Sequence, residues 1–164
     1  GQGYVSGSSW SRGQSWALYG FVLSWLHTGE QRYLDTAKRI ANYFISQIGD
    51  DWMPRCDFRQ PQEPELKDNV AGNVAACGLM ELARALDERE GRAYFEAAVR
   101  ILKAQERDAA NWKPDDPAIF TKCTSAWHDE SGRHITMTYG DYYFIEAVNK
   151  LRGDEMLFWY PNRI

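Results

Sequence analysis

Apolar residues recur along this chain at intervals of three and four, the period of helices that bury one face. The first such segment is expected over Ser11–His27. Its stretch Ala17-Leu18-Tyr19-Gly20-Phe21-Val22-Leu23-Ser24-Trp25-Leu26 is apolar enough to be buried, and Thr28-Gly29 supplies a stop. The second, over Gln31–Ile48, is amphipathic: Tyr33, Leu34, Ala37, Ile40, Ala41 and Phe44 fall on one stripe, and Gly49 closes it. Pro54, Pro61 and Pro64 mark the segment from Asp50 to Lys67 as a loop. A third helix is expected over Asp68–Arg89, lined by Val70, Ala71, Val74, Ala75, Gly78, Leu79, Leu82 and Leu86. A fourth follows over Arg92–Arg107, then a less regular segment to Thr138 with Pro114 and Pro117, then a last helix over Gly140–Leu151.

The helices repeat. Tyr33-Leu34-x-x-Ala37-x-Arg39-Ile40 returns 61 residues later as Tyr94-Phe95-x-x-Ala98-x-Arg100-Ile101, and the helix before each carries Gly20-Phe21 or Gly78-Leu79. The unit is therefore a hairpin of one apolar and one amphipathic helix. Stacking such units predicts an all-α fold with an inner and an outer row of helices, an α/α toroid or a solenoid. Long loops lead from outer helices to inner-helix N-termini, which in a toroid form the mouth of a cavity. Two or three hairpins do not close a ring. Further hairpins, a second copy, or a short solenoid with open edges are the three ways to resolve this.

Composition narrows the class. With 164 residues, 44% of them apolar, the chain has enough for one domain with a core and is not intrinsically disordered. A net charge of −4 without any Lys/Arg run excludes nucleic acid as the main partner. No apolar run approaches the ~20 residues of a membrane span. Cys56, Cys77 and Cys123 are too widely spaced for a zinc site or a disulfide framework, and Cys77 reads as a core residue. His27, His128 and His134 lack ligand spacing, so no metal and no cofactor is expected. Three thiols lean toward a reducing cytoplasm and leave the periplasm open. The chain starts at Gly1 rather than Met, and its natural N-terminus is expected to lie elsewhere.

Chemistry concentrates in Trp10-Ser11-Arg12-Gly13-Gln14-Ser15-Trp16. At a helix start, Arg12 and Trp16 stand at i and i+4 on one face. A cation there opposes the helix macrodipole, and together with the free N–H groups it makes a site for an anion such as a carboxylate. Trp10 and Trp16 would be the flat walls for a sugar ring. The competing reading makes Trp16 core, Trp10 a staple and Arg12 the partner of a local acid. Of the carboxylates, Asp68 is a weak candidate proton donor that reads first as an N-cap. Asp57 and Asp141 read as turn or cap residues, and Glu81 and Glu146 as partners for arginines.

These motifs carry a resemblance. Ser8-Ser9-Trp10-Ser11-Arg12-Gly13-Gln14-Ser15-Trp16-Ala17 is similar to a segment of the unsaturated glucuronyl hydrolases, glycoside hydrolase family 88. Asp57-Phe58, Lys67-Asp68-x-x-Ala71, Ala75-Ala76-Cys77-Gly78-Leu79-x-Glu81-Leu82 and Tyr139-Gly140-Asp141-Tyr142-Tyr143-Phe144-Ile145-Glu146-Ala147 continue it in order. The related unsaturated rhamnogalacturonyl hydrolases look similar but usually carry Asn-Gly where this chain has Gln14-Ser15.

The resemblance implies an (α/α)6 toroid, incomplete here, with residues 1–164 as the C-terminal part of a single catalytic domain. It implies a substrate with a 4,5-unsaturated uronic acid at its non-reducing end, the kind of oligosaccharide that polysaccharide lyases leave. An aspartic acid protonates the vinyl ether at C4, water adds at C5, and the hemiketal opens. Arg12, Trp16, Trp10 and Gln2 are then substrate-binding residues, while the catalytic aspartates lie in hairpins outside this chain. A non-catalytic carbohydrate-binding or assembly module remains the alternative of another class. An epimerase or isomerase would want paired inner-helix histidines and ranks last.

Overall fold

The computed structural model describes residues 1–154 and residue 159; the remainder of the expected 1–164 domain lies outside the described residues. Five α-helices follow in order among the described residues: α1 (Ser11–Thr28), α2 (Gln31–Gln47), α3 (Asn69–Ala85), α4 (Glu88–Ala109) and α5 (Thr138–Arg152). Among the described residues the only extended pairings are isolated bridges such as Trp10 with Asp57 and Cys123 with Ile135. The all-α reading therefore holds. No described helix is long and apolar enough to cross a membrane.

Sequence pattern explains most of the boundaries. Gly29 takes the left-handed conformation at φ 70° that a helix stop needs, and its N–H closes on the Trp25 carbonyl. The stripe Leu34, Ala37, Ala41 and Phe44 is buried on α2, as its period requires. One expectation fails. The third helix ends at Ala85 rather than Arg89, and the fourth starts at Glu88 rather than Arg92. The cause is Asp87, whose side chain accepts from the Glu90 N–H at 3.0 Å and caps α4, with Glu88 and Glu90 in its first turn. Continuous apolar spacing through Leu86 hid that cap.

The helices form two layers. α3 packs against α1, α4 and α5. α2 and α4 make the second layer, joined by the Tyr94 hydroxyl donating to Asn42 at 3.0 Å and by a Lys38–Glu90 ion pair. Every residue of α3 from Asn69 to Leu82 is buried, so it is the axis of the core. Only small side chains let neighbours approach it so closely. A Cβ on Gly78 would sit 3.0 Å from Leu18 Cγ and 3.1 Å from the Tyr19 backbone, which sets the α1–α3 crossing.

α1 departs from expectation. Its apolar composition suggests burial all round, but Ala17, Phe21, Leu23, Trp25 and Leu26 are only partly covered and Gly20 is exposed. Gly20 and Gly78 correspond in the repeat, yet a Cβ on Gly20 would meet nothing within 4 Å. The same motif is packed on one hairpin and open on the other.

That contrast gives a paired expectation. Gly78→Ala should destabilise the 164-residue chain by about 1–3 kcal/mol through overpacking. Gly20→Ala should stabilise it by about 0.5–1 kcal/mol, because an open helical site gains from lost backbone freedom in the unfolded state. Thermal unfolding of both variants checks this, and a stabilising Gly78→Ala would refute the close crossing.

Candidate functional site

The N-terminal ends of α1, α3 and α5 meet at one rim, and Arg12 holds them together. Its Nε donates to Asp68 Oδ2 at 2.8 Å and one Nη2 proton to Asp68 Oδ1 at 2.9 Å, the fork-to-fork geometry of a strong pair. Nη2 also donates to the Thr124 carbonyl at 2.7 Å, and Nη1 to the Tyr139 hydroxyl at 2.6 Å. Arg12 is 2% exposed and Asp68 fully buried. The partner of Arg12 is thus an acid, but one 56 residues away rather than local. Burial pushes the Asp68 carboxyl above its ordinary range, and the Arg12 charge and hydrogen bonds hold it back.

Asp68 occupies the position before α3, as an N-cap would, but its carboxylate makes no cap bond to that helix and turns to Arg12. With both oxygens engaged and no exposed surface, it stands as a counter-ion and has no open face from which to hand a proton to a ligand.

Aromatic rings surround the guanidinium. Its Cζ lies 5.7 Å from the ring centroids of both Trp10 and Tyr139. Trp10 rests on the first turn because residue 13 has no side chain; a Cβ there would come within 2.8 Å of the indole. Trp16, one turn along α1, stands 6.3 Å from Tyr139 and 5.2 Å from Tyr143, ring to ring. Trp10, Trp16 and Tyr143 are half-buried and Tyr139 is 41% exposed, so the rings offer partly open faces. Tyr139 and Tyr143 were not singled out as site residues from sequence. Their spacing from Arg12 and Trp16 is more than 120 residues, and only the fold closes it.

Gln2 is exposed, and its loop is clamped from two sides. The Trp127 N–H donates to the Gln2 carbonyl at 2.9 Å, and the His128 ring contacts the Tyr4 carbonyl at 2.7 Å. Asp57, buried, accepts from the backbone N–H groups of Tyr4 (3.0 Å), Ser9 (3.1 Å) and Arg59 (2.9 Å), and from the Ser8 hydroxyl. It therefore ties the 1–10 segment to the loop before α3. Asp141 accepts from the N–H groups of Ile119 (3.2 Å) and Phe120 (3.1 Å) and likewise serves a loop.

The two helical glutamates sit deeper in the core. Glu81 pairs with Lys150 at 2.7 Å and Arg84 at 3.2 Å. Glu146 pairs with Lys150 at 3.4 Å, a lysine where an arginine was expected, and accepts from the Tyr19 hydroxyl. No described group of three His, Cys, Asp or Glu residues is arranged to hold a metal ion. Burial pushes the Cys56 and Cys123 thiols up to about 12, so neither is a nucleophile near neutral pH.

No family model matches the chain. It is 35% identical over 164 residues to the unsaturated glucuronyl hydrolase of Bacillus sp. (strain GL1), covering 97% of this chain and 43% of that protein. It is 30% identical to the unsaturated chondroitin disaccharide hydrolase of Streptococcus pyogenes serotype M1, over 96% of this chain and 41% of that protein. The crystal structure of the Bacillus sp. GL1 enzyme superposes on all of this chain and 45% of its own, with a TM-score of 0.87 at 34% identity. The unsaturated glucuronyl hydrolase of Streptococcus agalactiae superposes with a TM-score of 0.89 at 26% identity, over 96% of this chain and 41% of its own. The described helices thus take the arrangement of part of the (α/α)6 toroid of these neighbours. The chain spans less than half the length of the curated relatives it matches.

The buried pair makes a direct expectation. Arg12→Met leaves Asp68 without its counter-charge and should cost about 3–5 kcal/mol near neutral pH. In that variant the folded-state pKa of Asp68 lies well above its unfolded value. Stability should therefore recover as pH falls toward about 4, where the carboxyl is neutral, and be lost as pH rises. The double variant Arg12→Met/Asp68→Asn buries no charge and should be more stable at neutral pH than the single one. Thermal melts at two pH values read both effects; a single variant that parallels the unsubstituted chain at every pH would dismiss the pair as the anchor.

Proposed function

We propose that this chain is the substrate-recognition part of a glycoside hydrolase that acts on 4,5-unsaturated uronic acid at the non-reducing end of lyase-generated oligosaccharides. In this reading residues 1–164 are the C-terminal part of one α/α-toroid catalytic domain. Arg12, Trp16, Trp10 and Gln2 belong to the wall that receives the unsaturated sugar, and the catalytic aspartates lie outside the chain.

The observation that carries the reading is the Arg12 rim: an anchored guanidinium flanked by Trp10 and Tyr139, with Trp16 beside it, at the shared N-terminal end of three helices. Similarity to the Bacillus and Streptococcus hydrolases over almost the whole chain supports the substrate class. One solved relative, from Streptococcus agalactiae, is complexed with dGlcA-GalNAc6S, an unsaturated uronyl disaccharide. The engaged state of the local acids supports placing the proton donor elsewhere. Asp68, Asp57 and Asp141 each spend their oxygens on internal donors. The open flank of α1 around Gly20 supports further hairpins, since in the repeat the equivalent Gly78 is where a neighbouring inner helix packs. A non-catalytic binding module would show the same engaged acids, and the assay below separates the two.

The unsaturated uronyl group absorbs in the near ultraviolet, and hydration of its double bond abolishes that signal. The 164-residue chain should bind an unsaturated uronyl disaccharide saturably without any decay of absorbance. Trp16→Ala should weaken binding about tenfold through loss of a sugar-stacking face. A longer protein containing this segment should turn the substrate over; failure there leaves the binding module. Decay by the 164-residue chain itself would place a working acid inside it. Absence of binding would remove the recognition role.

A further inference from the structure

Counting donors at the rim shows which group a ligand meets. Arg12 has five N–H groups. Asp68 takes two of them, the Thr124 carbonyl a third and the Tyr139 hydroxyl oxygen a fourth. The positive charge is matched by a carboxylate with no exposure, and Arg12 as a whole is 2% exposed. An approaching anion therefore meets a pair with no net charge and at most one unengaged N–H, on Nη1, behind a ring that is 41% exposed.

Tyr139 is that ring. Its oxygen accepts from Arg12, so its own proton points away from the guanidinium. The acceptor in reach is the Met137 sulfur at 2.9 Å, and a thioether is a weak acceptor that a sugar oxygen readily displaces. A hydroxyl whose oxygen is held by a charged donor is itself a stronger donor, because the two hydrogen bonds polarise one another. Trp16 stands 6.3 Å away, ring to ring, and gives an apolar wall beside that proton. Asp68, Arg12 and Tyr139 thus form a chain from a buried charge to a half-open hydroxyl.

We propose that the Tyr139 hydroxyl is the specificity-determining donor of this site. It hydrogen-bonds an oxygen of the bound uronate, with Arg12 and Asp68 as positioning residues behind it. The inference rests on the uronate reading above. It differs from an ion pair between Arg12 and the sugar carboxylate in one measurable respect. Recognition by a polarised hydroxyl over a neutralised pair is insensitive to ionic strength, whereas recognition by a free cation is screened by salt.

The test is a titration of the 164-residue chain with an unsaturated uronyl disaccharide, followed by tryptophan fluorescence, at about 0.05 and about 0.5 M salt. The unsubstituted chain should show a Kd that changes less than about threefold between the two. Tyr139→Phe keeps the ring and loses the donor, and should raise Kd about tenfold or more at a temperature where the variant is still fully folded. Asp68→Asn releases the Arg12 charge and should make Kd salt-dependent, a change that a merely structural role for Asp68 would not produce. Binding by Tyr139→Phe equal to that of the unsubstituted chain, or a steep salt dependence in the unsubstituted chain, would overturn the inference and leave the uronate reading standing. No binding by the unsubstituted chain would take both away.

Discussion

Three helices and two loops of this protein depend on one buried ion pair. Arg12 begins α1, Asp68 precedes α3, Thr124 lies in the segment before α5, and Tyr139 is in the first turn of α5. A guanidinium at a helix N-terminus faces the positive end of the macrodipole, which by itself is unfavourable. Asp68 reverses the balance by placing a full negative charge in bidentate register with it. Desolvating two charges is costly, and a buried pair is weak evidence of net stability. What the pair supplies is position: its hydrogen bonds join residues 56, 112 and 127 apart in sequence, tying the start of α1 to the starts of α3 and α5 and to the loop at Thr124.

The rest of the core accommodates that constraint. α3 is enclosed by α1, α4 and α5, so it needs small residues where neighbours cross and paired polar groups where they do not. Gly78 meets the first need against α1, and Gly91 meets it against the Ala83 carbonyl, which a Cβ would approach to 2.5 Å. Glu81 and Lys150 meet the second, with Glu146 and the Tyr19 hydroxyl completing the group. Asp68 and Glu81 lie thirteen positions apart along the chain, about 20 Å at the rise of an α-helix. Buried charge is therefore stacked in two tiers beside one helix. The upper tier is at the rim beneath partly open aromatic rings; the lower one is sealed in the core.

Local chemistry was legible in the sequence, and long-range pairing was not. Apolar period and glycine stops placed α1 and α2 within a residue or so of their ends, because those signals lie inside the helix they describe. The α3–α4 junction was misplaced because the apolar run continued through Leu86 while the deciding bond, Asp87 to the Glu90 N–H, was a cap. The i, i+4 relation put Arg12 and Trp16 on one face, and the structure keeps them on α1 at the same rim. Nothing in the spacing could select Asp68 over other acids as the partner of Arg12, or bring Tyr139 to it. Repetition misled in one place: Gly20 and Gly78 match as letters, but only Gly78 has a neighbour close enough to require it.

The neutral rim bears on how such a site discriminates between ligands. A free cation attracts any anion within a Debye length and says little about its shape. A matched pair gives up that reach, and in the proposed site its polarity is passed on chiefly through the hydroxyl it orients. On the proposed reading, selection then falls to geometry: a ring face laid along Trp16 and one oxygen set at hydrogen-bond distance from Tyr139. That demands loops held as firmly as the helices. The 1–10 segment, which carries Gln2 and Trp10, is held by three of its own donors converging on Asp57 and by the Trp127–His128 clamp. An acid engaged by three backbone N–H groups and a hydroxyl is a structural tie, and it determines where Gln2 and Trp10 stand. If the rim receives a sugar as proposed, spending Asp68 and Asp57 on position leaves the proton chemistry to a carboxylate that holds up no part of it.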